Sequence, residues 1–235
     1  MNKYGWADAA LAVQEYVVKI ETPDSYGSGF LINYRGSRKR KQQLVFATAF
    51  HVIEHAEKWS EVIRISKGDV EIPFFPNERE IMTLQSRDLA LVVINQLEQF
   101  KFPERLLDTV NPKEILPPGF PVGWCGYPNI ADQQNCFFAG HLSSPVDASG
   151  DYLVDGVVIH GVSGAPAFIN IEDHITLIGV ISAYLPNRAA GEALPGMSLI
   201  RSVNPFTEYF SRANGKAKKP GGKREAKKGE NAIAK

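Results

Sequence analysis

The chain has 235 residues, of which 44% are hydrophobic and 22% charged, with zero formal net charge; this excludes a disordered polymer and suits one large all-β domain or two small ones. Two cysteines are too few for a disulfide framework, and the lack of any run of about 18 apolar residues argues against a membrane span. Asp8, Gln14 and Glu15 interrupt any signal-peptide core, so the expectation is a cytoplasmic protein with reduced thiols.

Residues 6–15 fit a short amphipathic helix, and Tyr16–Ile20 is a β-branched, strand-like run. Tyr26-Gly27-Ser28-Gly29 leads into a second strand, Phe30-Leu31-Ile32. Arg35 to Lys41 reads as a solvated basic hairpin tip, and Leu44–Thr48 as a third strand. His51 follows at once, with Val52–His55 long enough for one helical turn. Val62–Ile65 and Glu71–Phe74 suggest a further strand pair. Asp88 opens Leu89–Ile94, six apolar residues in a row, the pattern of a strand buried on both faces.

Pro103, Pro112, Pro117 and Pro118 mark a connector. A second set of strands follows at 121–127, 135–142, 151–159, 167–170, 177–183 and 197–200. Asn204-Pro205 starts a helix, Asn as N-cap and Pro at the first helical position, with Phe206 to Phe210 docking it. From Arg212 onward nine Lys/Arg face two Asp/Glu, so the tail carries +7 and the remainder −7. The expected fold is all-β: two packed antiparallel six-stranded β-barrels with short N- and C-terminal helices. The first barrel spans 1–105, the connector 106–118, the second barrel with its helix 119–212, and a disordered basic tail 213–235. A cleft between barrels is the default place for a site.

Gly161-Val162-Ser163-Gly164-Ala165-Pro166 is the most informative stretch. Flanking glycines let the backbone take positive φ and let a substrate come close. That suits a nucleophile whose own amide, with a neighbour's, points at a developing oxyanion. An ordinary Gly-Ser turn has the same composition, so the rest of the chain must decide. A serine hydroxyl needs a base and a group to orient that base. Of the five histidines, His51 ends a strand, and Asp88 is the acid best placed to be poorly solvated. An α/β-hydrolase would need G-x-S-x-G and a late histidine. Here the fifth position is Ala165, and only His174 follows Ser163. The order His51, Asp88, Ser163 is the one used by chymotrypsin-fold enzymes.

Four blocks in that order are Gly27–Ile32, Ala47–Val52, Asp88–Leu91 and Gly161–Pro166. On them, residues 15–210 resemble the trypsin-like (chymotrypsin-fold) serine peptidases, in particular the bacterial trypsin-like peptidase-domain group. The resemblance implies a serine endopeptidase with His51 as general base, Asp88 as its orienting partner and Ser163 as nucleophile. It implies an oxyanion hole from the amides of Gly161 and Ser163, and a substrate-pairing strand Ile178–Ser182 with Ser182 near the buried aspartate. Val162 replaces the aspartate that binds a freed N-terminus in secreted digestive enzymes, so activation by that cleavage is not expected. Val157 falls at the pocket floor and Ile181 where viral relatives keep a histidine. With Ala183 beside the cleft and Tyr184 narrowing it, a small or medium apolar residue is expected at the cleaved position. His160 precedes the oxyanion glycine and is a candidate lining residue. No cofactor or metal is expected. The partners expected are a polypeptide substrate and, with no regulatory domain visible, a separate regulator.

Two other readings stay open. His51-Val52-Ile53-Glu54-His55 matches the inverted zinc-peptidase motif H-x-x-E-H, which needs a long helix and a further acidic ligand. The basic tail of a catalytically weak binding module would instead contact nucleic acid through phosphates, without the aromatics that stack bases. Trp6, Trp59 and Trp124 read as packing residues, Cys125 as core and Cys136 as strand.

Overall fold

In the computed structural model the described residues are 5–36, 42–111, 113–131, 134–146, 149–156, 158–182, 186–187, 192–193 and 197–217, with backbone alone for 186–187, 192–193 and 212–217. Residues 1–204 form one compact unit and 205–235 a second.

The helix α1 (Gly5–Gln14) leads into β1 (Val17–Glu21), β2 (Tyr26–Arg35) and β3 (Gln43–Ala49), after which the chain turns directly into α2 (Phe50–Lys58). β4 (Ile63–Lys67), β5 (Val70–Phe74), β6 (Arg79–Leu84) and β7 (Leu89–Asn95) complete a seven-stranded antiparallel strip in the order β5-β4-β1-β2-β3-β7-β6. The central strands β3 and β7 are buried almost throughout, as their unbroken apolar runs demand. Phe46, Ile53, Leu31, Ile63 and Ile65 fill this half's core.

In the second half, β8 (Asp108–Thr109), β9 (Pro121–Gly126), β10 (Cys136–Pro145), β11 (Tyr152–Asp155), β12 (Pro166–Ile171) and β13 (His174–Ser182) are followed by the small pair β14 (Pro186–Asn187) and β15 (Glu192–Ala193), then β16 (Met197–Ser202). The order β12-β9-β10-β11-β16-β13 closes on itself through a β12–β13 pairing, and β8 adds a parallel edge to β13. This half is a closed six-stranded barrel around Trp124, Val122, Ile178, Ile181 and Ile200.

The first half is a half-barrel: no pairing joins β5 to β6 among the described residues. Pro73 lacks an N–H on β5, and Pro76 starts the short 3₁₀ turn that follows. The Arg79 guanidinium bridges that seam, donating to the carbonyls of Phe74 at 2.5 Å, Glu61 at 2.5 Å and Ala56 at 3.4 Å.

α1 staples the halves. Ala9, Ala10 and Val13 pack with Val17 of β1 on one side and Cys125 and Phe168 of the barrel on the other. Trp6 sits 5.9 Å from the Phe137 ring and 5.8 Å from Phe168. Trp124 is fully buried. Trp59 departs from expectation: it is 61% exposed, because it lies just past the end of α2, its ring 5.4 Å from the Lys58 ammonium.

β6 has no counterpart in the sequence reading, since its half-exposed residues give no clean alternation. β11 stops at Asp155 rather than running to 159. The helix α3 spans Asn204–Ala217, continuing into the first five positions assigned to the tail; tail residues 218–235 lie outside the described residues. Both cysteines are free. Cys125 pairs with Phe137 and Cys136 with Gly126, so the two thiols sit one register step apart and point to opposite faces. Among the described residues no helix is long and apolar enough to cross a membrane.

Candidate active site

The register of β3 against β7 brings His51 to Asp88. Ala49 pairs with Leu89, so the residues just past the end of β3 meet the residue just before β7. The chain leaves β3 in extended conformation at Ala49 and enters α2 at Phe50, which puts His51 on the rim. The Phe50 amide donates to the Asp88 carbonyl at 3.1 Å. The His51 amide donates to Asp88 Oδ1 at 2.9 Å, and His51 Nδ1 lies 2.8 Å from Oδ2 and 3.1 Å from Oδ1. A carboxylate on Nδ1 selects the tautomer with its proton there, leaving the Nε2 lone pair free to accept.

Asp88 has φ +51°, in the left-handed region that costs an L-residue roughly 1–2 kcal/mol. It ends the 3₁₀ turn Gln85–Arg87, its amide donating to Gln85 O at 3.0 Å. Ser182, at the end of β13, donates its hydroxyl to Asp88 Oδ2 at 2.5 Å. This bond crosses between the halves. Burial pushes the Asp88 carboxyl up, but the hydrogen bond and charge of His51, the Ser182 hydroxyl and the His51 amide outweigh it and hold it below the ordinary carboxylate value. The acid therefore stays ionised at neutral pH beneath a half-exposed imidazole.

The turn carrying Ser163 is held from both halves. The Val162 amide donates to Ile159 O at 3.1 Å and the Ala165 amide to Val162 O at 3.0 Å, so the chain coils tightly around the serine. Gly164 donates to Ile181 O at 2.7 Å, and Ile181 returns a bond to Ala165 O at 2.8 Å. From the first half, the Ser28 amide donates to Ser163 O at 2.8 Å. The buried Ser28 hydroxyl donates to Gly161 O at 2.7 Å and accepts from the Tyr127 amide at 2.9 Å. Thr48 completes the stitch by donating to Ser28 O at 2.7 Å.

The amides of Gly161 and Ser163 have no backbone acceptor among the described residues. The His160 carbonyl accepts from the Asn129 amide at 2.9 Å, which turns the opposite edge of that peptide, the Gly161 N–H, the other way. Gly161 has φ +91° and Gly164 φ +89°, so neither position suits a side chain. A Cβ on Gly164 would collide with Ser28 O and Thr48 Oγ1. Gly164→Ala is therefore expected to destabilise the protein by about 3 kcal/mol or more, from left-handed strain plus a backbone clash that cannot relax. Equilibrium urea unfolding measures it.

The structure thus joins His51, Asp88 and Ser182 in one hydrogen-bonded row. It does not hydrogen-bond Ser163 to His51 among the described residues. Gly27 packs between the two segments: a Cβ there would lie 2.6 Å from Val52 Cγ2, on the residue after His51, and 2.8 Å from Ser163 O. Ile181 is buried with both backbone groups spent on the turn. The His160 side chain is exposed. Val157, Ala183 and Tyr184 lie outside the described residues. Ser28, Thr48 and Asn129 were not singled out from sequence. A buried hydroxyl inside Gly27-Ser28-Gly29 was the available signal, since a small polar residue between glycines on a buried strand needs partners.

α2 ends at Lys58, so the long helix of the zinc reading does not form. His55 lies with Nδ1 2.8 Å from Glu61 and Nε2 2.9 Å from Asp24, while His51 Nδ1 is taken by Asp88. Among the described residues no group of three or more His, Cys, Asp or Glu is placed to hold a metal ion. Burial pushes the Cys125 thiol up to about 12, which removes it as a thiolate nucleophile.

No protein-family model and no curated protein sequence matches the chain. Among solved structures, a mutant of Rv3671c from M. tuberculosis H37Rv in its inactive form is similar with a TM-score of 0.60 and 17% identity, over 91% of this chain and 93% of that one. The Rv3671c protease, also in inactive form, gives 0.59 and 17% over 87% and 91%. At that identity the likeness carries the fold, along nearly the full length of both chains.

Proposed function

We propose that the chain is a serine endopeptidase that cleaves peptide bonds through Ser163, His51 and Asp88 and an acyl-enzyme intermediate. One observation carries the reading: an imidazole is fixed by a partly buried, ionised carboxylate, and in the tight turn around Ser163 the serine and Gly161 amides have no backbone acceptor among the described residues. The shared fold with a solved protease supports it.

In this reading the Ser163 hydroxyl attacks the substrate carbonyl carbon as His51 Nε2 takes its proton. The Gly161 and Ser163 amides receive the oxyanion, each contributing about 3 kcal/mol in the transition state. The imidazolium, stabilised by Asp88, returns the proton to the leaving amine. Water then attacks the ester, His51 again accepting and returning a proton. Substrate binding draws the serine and imidazole into hydrogen-bond range, as resting sites often require. A small or medium apolar residue is favoured at the cleaved position, because Val157 and Ile181 bring no charge to pair with Lys, Arg or Glu.

A fluorophosphonate probe with peptide mapping tests this. The expected result is one covalent adduct, on Ser163. Stoichiometric labelling of another residue, or none, overturns the reading, and the absence of any adduct would favour the non-catalytic binding module.

A further inference from the structure

We propose that Asp151 is a positioning residue for Asp88, acting through Arg87 as a clamp between the two halves of the fold; the inference rests on the reading of His51, Asp88 and Ser163 as a triad. Asp151 stands just before β11, and its side chain is only 3% exposed. A carboxylate at that depth must be paired and hydrogen-bonded. Of its three donors among the described residues, two come from its own barrel: the Ser202 amide at 2.8 Å on Oδ1 and Arg201 Nη1 at 2.9 Å on Oδ2. The third crosses over: Arg87 Nη2 reaches Oδ1 at 2.5 Å.

Arg87 is the residue before Asp88 and the last of the 3₁₀ turn that delivers it. Within its own half the turn is held through the backbone: Leu84 pairs with Leu89 across it, and the Asp88 carbonyl accepts from the Phe50 amide. Thr83, Leu84, Gln85 and Ser86 are all exposed, so no apolar side chain anchors its approach. Asp88 itself has φ +51°, a conformation that persists where the surroundings over-determine it. The Arg87 arm adds a constraint from outside the turn's own half and ties it to the barrel that also presents Ser182. Asp88 Oδ2 is shared between His51 of the first half and Ser182 of the second. A shift of the turn against the barrel would disturb both bonds at once, and a misplacement of about 1 Å can cost about 100-fold in rate.

The test compares Arg87→Met with wild type. Arg87→Met removes a side chain that is 24% exposed and leaves Asp151 paired with Arg201 and Ser202, so it is expected to fold. It should lower kcat by about 10- to 100-fold with KM within about twofold, the signature of an interaction made only in the transition state. It should also shift or broaden the far-downfield proton resonance of the His51 Nδ1–H facing Asp88. Arg87→Lys, which keeps the charge, should recover much of kcat. Asp151→Asn added to Arg87→Met should cost little more than Arg87→Met alone, because one clamp is lost only once. A kcat within about threefold of wild type, with the resonance unmoved, overturns the proposal. So does a folded Arg87→Lys as impaired as Arg87→Met. Should wild type take up no fluorophosphonate, the peptidase reading fails separately, while the resonance still reports whether Arg87 sets the His51–Asp88 bond.

Discussion

Ser163→Ala is expected to lower kcat for peptide cleavage by about 10⁶-fold while leaving the melting temperature near that of wild type. The factor corresponds to about 8 kcal/mol of transition-state stabilisation. Among the described residues no other group at the site can take over the attack, because Cys125 is buried with its thiol held protonated, the Ser28 hydroxyl is committed to Gly161 and Tyr127 and the Ser182 hydroxyl to Asp88. The fold should not notice the change. Ser163 is bound to the first half through its carbonyl, which accepts from the Ser28 amide at 2.8 Å, and alanine keeps that carbonyl. His51→Ala should cost a similar factor, and the double variant little more, since residues acting as one unit are not additive. Turnover measured on a peptide with an apolar residue at the cleaved position, together with thermal unfolding, checks both halves of the expectation. Residual activity above about one part in a hundred would show that another nucleophile operates.

What the sequence discloses and what it hides divides along contact distance. β3 and β7 announce themselves because continuous burial needs continuous apolar residues, and the closed second barrel follows from its spaced short strands. β6 escapes because its residues are half-exposed and carry no period. Chain order directs attention to His51 and Asp88, yet the reason they meet is the pairing of Ala49 with Leu89, a register that no local pattern encodes. Ser28 is bonded to Gly161, 133 positions away, and Arg87 to Asp151, 64 positions away. Each looks like an ordinary polar residue until the two halves are brought together. Trp59 misleads in the opposite sense: a large aromatic at a helix end reads as core, but the helix stops before its ring can turn inward.

Asp88→Asn is expected to lower kcat by about 10⁴-fold. Asparagine can occupy the same space and accept the His51 amide, but its Nδ2–H₂ end donates. Facing His51 Nδ1, it would favour the tautomer with the proton on Nε2, and that nitrogen could no longer accept from Ser163. The imidazolium formed during attack would also lose its counter-charge. The factor is expected at neutral pH, where the Asp88 carboxyl, held below its ordinary value of about 3.9, is ionised. Stability should respond differently. A carboxylate whose pKa is depressed on folding contributes stability above its unfolded value, and the contribution is lost as pH falls through the folded value. The wild-type melting temperature should therefore drop toward that of Asp88→Asn only below about pH 4. Rates of peptide cleavage and melting curves taken across pH 3 to 8 test the two expectations together. A loss of kcat under about 100-fold would mean that His51 is oriented by something other than this carboxylate, and a stability gap that closes above pH 5 would mean that Asp88 is not the acid-sensitive group.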